Sequence, residues 1–101
     1  MTLAERLVDA QQRIANAARL AKRDPNSIKL IVVTKNHPTQ LAIDLLGLGV
    51  RDFGENRDQE AAPKALEIRS KSLVQPHWHF IGQLQSNKVK SVVSYASSVH
   101  S

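Results

Sequence analysis

The chain has 101 residues, of which 42% are hydrophobic and 23% charged, and its formal net charge is +5. This composition is typical of one globular unit and excludes a disordered chain, and no apolar stretch approaches the ~20 residues of a membrane helix. The absence of cysteine excludes disulfides and thiolate metal sites. Because no charged leader precedes an apolar core at the N-terminus, these features together predict a cytoplasmic protein without a signal peptide.

The basic residues are spread along the chain rather than clustered. No run of like charge reaches the length of about five or six residues that is typical of a binding tail. The aromatic side chains do not alternate with the basic ones as they do on a nucleic-acid stacking platform. We therefore expect no nucleic-acid and no membrane partner, and the positive charge is compatible with an anionic small ligand.

The chain begins with a pattern typical of a helix. Apolar residues recur at helical spacing from Leu3 to Lys22, and Thr2 with Glu5 forms a capping box in front of them. Residues 24–27 (DPNS) are expected to end this helix. Residues 28–33 (IKLIVV) are then typical of a short buried strand.

Strands and helices are expected to alternate from this point on. Thr39 is predicted to cap a second helix that closes at Gly47 or Gly49. The remaining predicted elements are a weak strand over 50–53, a helix over 57–70 in which Pro63 either introduces a kink or starts a new helix, a strand over 77–82, a helix from Ser86 through Val93, and the start of a strand at 98–101.

This order of elements predicts an α/β fold with a parallel sheet. A dinucleotide-binding fold would place Gly-x-Gly-x-x-Gly after the first strand, whereas residues 34–38 read TKNHP. A (β/α)8 barrel fits better, because Lys35, Asn56 and His79 each fall near the carboxyl end of a strand, where barrels carry their chemistry.

The length indicates an incomplete barrel. Such a barrel needs about 200–250 residues, so residues 1–101 are expected to be the N-terminal part of a single barrel domain, preceded by the N-terminal helix. That part would leave sheet edges open. We therefore expect self-association, or pairing with the missing C-terminal part.

Lys35 is the first candidate for chemistry, since it stands at the exit of the first strand. Burial there would disfavour the charged ammonium form and leave an amine able to attack a carbonyl. A Schiff base with a substrate or with pyridoxal phosphate (PLP) is the common use of such an amine. The alternative is a lysine that extends into solvent.

Two other strand ends carry candidate ligand-binding residues. Asn56 either caps the following helix, with Gln59 at its third position, or hydrogen-bonds a ligand at the barrel mouth. His77 and His79 share one face of a strand, as two zinc ligands of a metal-dependent hydrolase would, but a third ligand has no clear candidate. No Ser-His-Asp, paired-carboxylate or Walker pattern is visible.

Three motifs resemble those of one known family. They are VVTKxxP at 32–38, FGENxxQE at 53–60 and WHFIGxLQxNK at 78–88. In this order and spacing they resemble the pyridoxal phosphate homeostasis protein family, whose single domain is similar to the N-terminal barrel of alanine racemase. The resemblance implies that Lys35 carries PLP as a Schiff base, that the Asn56 amide reaches the ring hydroxyl, and that His79 points into the same mouth.

The resemblance also implies a function. It indicates a PLP carrier or regulator in vitamin B6 and amino and keto acid homeostasis, without turnover, because one barrel lacks the second domain that supplies an opposing base in the racemases. The alternatives are a PLP-dependent racemase or decarboxylase and, less favoured, the hydrolase using His77 and His79. Asn36 and His37 stand where the family often has Thr-Lys, and Arg57 replaces a frequent aromatic residue; these departures change the local charge.

The family places the phosphate contacts and the pyridine-nitrogen partner in later loops that this chain does not contain. Phosphate contacts supply much of the affinity for such a cofactor and hold its ring in place. We therefore expect this chain alone to bind PLP weakly or unspecifically.

Overall fold

The computed structural model describes residues 2–24 and 29–100, and of His100 only the backbone. Residues 25–28, which hold most of the predicted turn and the first residue of the predicted strand, lie outside this description. Two compact units, residues 1–30 and 31–101, are described separately.

The first unit contains a helix, α1, over Leu3–Leu20. The Glu5 N–H donates to the Thr2 hydroxyl at 3.1 Å, and the Thr2 N–H donates to Glu5 Oε1 at 3.2 Å. The predicted capping box is therefore confirmed. After the helix, Lys22 adopts a positive φ of 58°, a conformation that commonly follows a helix end. None of the described helices combines the length and apolar character that crossing a bilayer requires.

The second unit alternates strands and helices along the chain. Its elements are β1 (Val32–Val33), α2 (Thr39–Gly47), β2 (Asp52–Glu55), α3 (Asp58–Lys71), β3 (His77–Ile81), a 3-10 turn (Ser86–Lys88), α4 (Val89–Tyr95) and β4 (Ala96–His100). Within the described residues these strands form a four-stranded sheet in which each pairs in parallel with the next along the chain. The predicted parallel sheet is confirmed, and this is the order of strands in a (β/α)8 barrel.

One face of the sheet is covered by helices. Phe53 and Trp78 lie opposite each other on β2 and β3, with ring centroids 5.6 Å apart, and Phe80 projects from the same face. All three side chains are buried, as are Ile68 of α3 and Val92 of α4. Removing such apolar surface from water is worth about 25 cal/mol per Å2, so this layer forms the core of the unit.

The opposite face of the sheet carries a row of register partners. Val33, Gly54, His79 and Ser98 lie side by side on the strands β1 to β4. We call this the inner face, because in a barrel the strand side chains that point away from the helices fill the interior. A Cβ atom added at Gly54 would lie 3.1 Å from the Ile81 Cδ1 atom, so glycine leaves room for that side chain.

The starts of α2 and α3 differ from the sequence-based expectation. Thr39 is the first residue of α2 and not its cap, which is Pro38 in extended backbone. The cap of α3 is Arg57, also extended, so the interpretation of Asn56 as a helix cap is wrong. Pro63 lies inside a continuous α3, and no new helix starts there.

Candidate cofactor site

The carboxyl ends of β1, β2 and β3 meet at one edge of the sheet. Val33, Gly54 and His79 are register partners, and Lys35 and Asn56 follow the first two of these by two residues each. Residues two apart on a strand share a face. The fold therefore brings two of the three candidates for cofactor binding, Lys35 and Asn56, to neighbouring strand ends. The third, His79, lies in the middle of β3, and its ring contacts Asp52 at the start of β2.

Lys35 lies in the turn that follows β1, and its side chain is exposed. A hydrogen bond of 3.0 Å from the His37 N–H to the Thr34 carbonyl oxygen closes this turn. Asn36 within it has a φ of 65°, a left-handed conformation that Asn tolerates better than most residues. The burial expected for Lys35 is wrong for this chain, and its amine is open to a carbonyl compound from solvent.

Lys64 of α3 supports the turn from the helix side of the sheet. Its Nζ donates to the Thr34 carbonyl oxygen at 2.8 Å, to Glu60 Oε1 at 2.8 Å and to Glu55 Oε2 at 3.3 Å. The three donors of its ammonium group are thus engaged. The Thr34 hydroxyl also donates to Glu55 Oε2. We call Thr34, Glu55, Glu60 and Lys64 the ion cluster.

The ion cluster combines two carboxylates with one ammonium group. The hydrogen bond from Lys64 lowers the pKa of Glu60 against the opposing effect of burial, and the bond from the Asn36 N–H lowers it further. Glu55 Oε1 is buried and lacks a hydrogen-bond partner among the described residues. Lys64 is therefore the compensating charge, and its loss would leave a buried carboxylate unpaired.

Asn56 lines a cleft of about 260 Å3 at the carboxyl ends of β2 and β3. Its Oδ1 atom is buried and has no hydrogen-bond partner within the described part of the chain. A buried polar atom without a partner is rare and costly, so this amide is available to a ligand. Arg57, Phe80 and Lys88 form other parts of the cleft wall, which makes it partly cationic.

Asp58, the first residue of α3, links this wall to α4. The hydroxyls of Ser91 and Tyr95 donate to Asp58 Oδ1 at 2.7 and 3.1 Å. Burial, followed by the contact with Asp58, raises the pKa of Tyr95, so its hydroxyl stays protonated and donating. These bonds hold α4 against the start of α3, beside the cleft.

His79 is held between two side chains on the inner face. Its Nε2 atom lies 2.8 Å from Asp52 Oδ1, and its Nδ1 atom lies 2.5 Å from Ser98 Oγ. Because a carboxylate only accepts hydrogen bonds, Nε2 is the donor in the contact with Asp52. His77 Nδ1 lies 3.5 Å from the same Asp52 oxygen. The sequence contains no motif that predicts this Asp52–His79–Ser98 arrangement.

Residues 2–24 and 29–100 contain no group of three or more His, Cys, Asp or Glu side chains placed to hold a metal ion. His77 and His79 instead converge on Asp52. The metal-dependent hydrolase alternative therefore finds no third ligand in the described structure.

Curated proteins with similar sequences share one name. No protein-family model matches the chain. The chain is 40% identical over 100 residues to the pyridoxal phosphate homeostasis protein of Pseudomonas aeruginosa, covering 99% of this chain and 42% of that protein. It is 34% identical over 98 residues to the protein of the same name from Escherichia coli K12, covering 97% and 42%. The chain thus spans about two-fifths of the length of these relatives.

Two solved structures of another protein are similar to most of this chain and, like the curated relatives, are longer than it. PipY of Synechococcus elongatus PCC7942, determined without PLP, matches with a TM-score of 0.76 and 39% identity over 99% of this chain and 41% of that one. PipY with PLP bound matches with a TM-score of 0.71 and 42% identity over 87% and 41%. These matches confirm the predicted fold, the N-terminal part of a (β/α)8 barrel preceded by a helix. In sequence and in structure, this chain is similar to the N-terminal part of the pyridoxal phosphate homeostasis proteins.

Proposed function

We propose that this chain binds PLP through a Schiff base on Lys35, and that the intact protein acts in vitamin B6 and amino and keto acid homeostasis in the cytoplasm. The observation that carries the proposal is the convergence of Lys35 and Asn56 on adjacent parallel strand ends. The relative PipY, determined with PLP bound, supports the choice of ligand.

The residues at this edge fit the cofactor. When bound, PLP supplies an aldehyde that condenses with an amine and a ring that withdraws electrons. Lys35 offers the exposed amine, and the partnerless Asn56 Oδ1 offers an acceptor for the ring hydroxyl. His79 has both ring nitrogens engaged by Asp52 and Ser98, so it would present a ring of fixed orientation to the cofactor.

An absorbance titration with PLP tests the proposal. The wild-type chain is expected to develop the band of a Schiff base at high cofactor concentration, since the resemblance to the family implies phosphate contacts in later loops. Lys35→Ala should abolish the band, whereas Lys90→Ala, which removes an exposed lysine of α4, should leave it unchanged. Equal bands from wild type and Lys35→Ala would rule out a specific site at Lys35.

We further propose that the bound cofactor is carried without turnover. A racemase needs proton-transfer groups on both faces of the substrate, and the His79 imidazole already bonds Asp52 and Ser98. Incubation with PLP and L-alanine, followed by chiral analysis, should therefore show no D-alanine above the level formed by PLP alone. Catalytic racemisation that requires Lys35 would favour the enzyme alternative.

A further inference from the structure

The two peptide groups that flank Lys35 are both bonded to α3. The Thr34 carbonyl oxygen, just before Lys35, accepts from Lys64 Nζ at 2.8 Å. The Asn36 N–H, just after it, donates to Glu60 Oε1. Glu60 and Lys64 are themselves paired at 2.8 Å, one helical turn apart. A single ion pair therefore holds the backbone on both sides of Lys35.

Other bonds limit the freedom of this turn further. The Thr34 hydroxyl donates to Glu55 Oε2, which fixes the residue before Lys35 at a second point. Asn36 lies in the left-handed region, which is unfavourable for residues other than glycine, and its bond to Glu60 offsets that cost. The Lys35 backbone is thus held in one conformation by partners that do not contact its amine.

The lysine of this ion pair is buried, and its glutamate is partly exposed. The side chain of Lys64 is 6% exposed and that of Glu60 is 22% exposed. An ion pair in such a setting is stronger and less screened by salt than one on the surface. The pair can therefore hold the backbone position from which the flexible Lys35 side chain extends. The side chain itself is exposed and remains free to react.

We infer that Glu60 and Lys64 are positioning residues that aim Lys35 at the cofactor. This inference rests on the proposed role of Lys35 as the residue that binds PLP. The misplacement of a reacting group by about 1 Å can reduce a rate by ~100-fold. The loss of the pair should therefore affect Schiff-base formation although neither residue touches the cofactor.

The chain supplies a matched control for this pair. Glu67 and Lys71 have the same i, i+4 spacing further along α3, with their charged atoms 2.9 Å apart. Their side chains are 41% and 57% exposed, so this pair lies on the surface. Glu67 also bonds the side chain of Thr39, the first residue of α2, so Lys71→Ala is the variant that breaks this surface pair without removing a contact to α2.

Amide hydrogen exchange of Asn36, measured by NMR without cofactor, tests the backbone contact itself. Glu60→Ala should speed exchange of this N–H by about tenfold or more, the loss expected for one hydrogen bond. Glu60→Gln retains an acceptor oxygen and should preserve most of the protection, and Lys71→Ala should leave it unchanged. Equal exchange in Glu60→Ala and Lys71→Ala would overturn the inference.

The rate of Schiff-base formation on Lys35 with PLP tests the consequence. Glu60→Ala should lower this rate by about tenfold, within the range that misplacement produces. Lys71→Ala should leave the rate unchanged, and Glu60→Gln should largely retain the wild-type rate. If Glu60→Ala fails to fold by circular dichroism, Glu60→Asp, whose side chain is one methylene shorter, takes its place. A wild-type chain that does not react at Lys35 would refute the proposed function, whereas equal rates in Glu60→Ala and Lys71→Ala would refute the positioning role alone.

Discussion

Lys35 is exposed, while Thr34 and Lys64, which hold its backbone in place, are buried. This division separates two requirements of a lysine that binds a carbonyl cofactor. The amine must be accessible to its target from solvent. The backbone of the lysine must be held in place for the amine to react quickly. Buried neighbours supply the second property without hindering the first.

Lys64→Met is expected to destabilise the chain strongly. It leaves Glu55 as a buried carboxylate without its compensating cation, a change that typically costs about 3–5 kcal/mol. The free energy of unfolding from urea denaturation measures this loss. Lys71→Met, which removes a surface partner on the same helix, should cost less than about 1 kcal/mol. Equal losses in the two variants would show that the ion cluster does not depend on Lys64.

The stability contributed by Glu60 should depend on pH. The bond from Lys64, with lesser contributions from the Asn36 N–H and Arg57, lowers the pKa of Glu60 below its ordinary value of 4.5. The fold therefore favours the ionised form, and this contribution is fully present above pH 4.5 and lost as the pH falls through the folded-state pKa. Glu60→Gln should have a lower Tm than wild type at neutral pH, with a gap that shrinks on acidification. A gap that stays constant would contradict this expectation.

The candidate residues at the site were predictable, but the residues that support them were not. Lys35 and Asn56 stand at strand ends that the sequence pattern predicts. Glu60 and Lys64 carry a weaker signal, an i, i+4 pair whose lysine adjoins the buried Ala65. The same pattern is equally typical of a lysine whose stem covers an apolar helix face while its ammonium group extends to solvent. Only the placement of α3 across β2 shows that Lys64 turns inward.

At the scale of elements, the two failed cap predictions each miss by one residue, in opposite directions. Thr39 and Asn56 belong to residue types that favour helix caps. The cap of α2 is Pro38, one residue before Thr39, and the cap of α3 is Arg57, one residue after Asn56. Local capping preference was outweighed by the path that the chain follows from a parallel strand into its helix.

The end of α2 provides a test of backbone conformation alone. Gly47 is the last residue of α2, and Gly49 follows with a φ of +100°. A Cβ added at either position meets no atom within 4 Å. Gly47→Ala should stabilise the chain by up to ~0.5 kcal/mol by restricting the unfolded state, whereas Gly49→Ala should destabilise it by about 1–2 kcal/mol through strain. Urea denaturation measures both, and effects of the same sign would contradict this account of the turn.

At the scale of the whole molecule, the parallel sheet follows from the alternation of strand and helix patterns, which predicts the fold class without knowledge of contacts. The register, which sets the residues that lie opposite each other on neighbouring strands, does not follow from this alternation. The row Val33, Gly54, His79 and Ser98, and with it the bond of His79 to Asp52, depends on how distant strands align. No local propensity encodes that alignment.

The described sheet has β1 and β4 at its edges, and Val33 and Val99 on these strands are each 42% exposed. Exposed apolar edge strands tend to pair with further chains. We expect light scattering after size-exclusion chromatography to show concentration-dependent self-association. Val99→Lys on β4 should reduce it, and Val93→Lys on α4 should not. A monodisperse monomer across the concentration range would contradict this expectation.

The most direct test of the central claim, a PLP link on Lys35, is borohydride trapping followed by peptide mapping. In the proposed link the Lys35 amine would condense with the PLP aldehyde and release water, and hydride from borohydride would then reduce the C=N bond to a stable secondary amine. We expect the adduct to concentrate on Lys35, with little on Lys88, the lysine that lines the cleft beside Asn56. An adduct spread evenly over the lysines, or concentrated on Lys88, would contradict the assignment of Lys35.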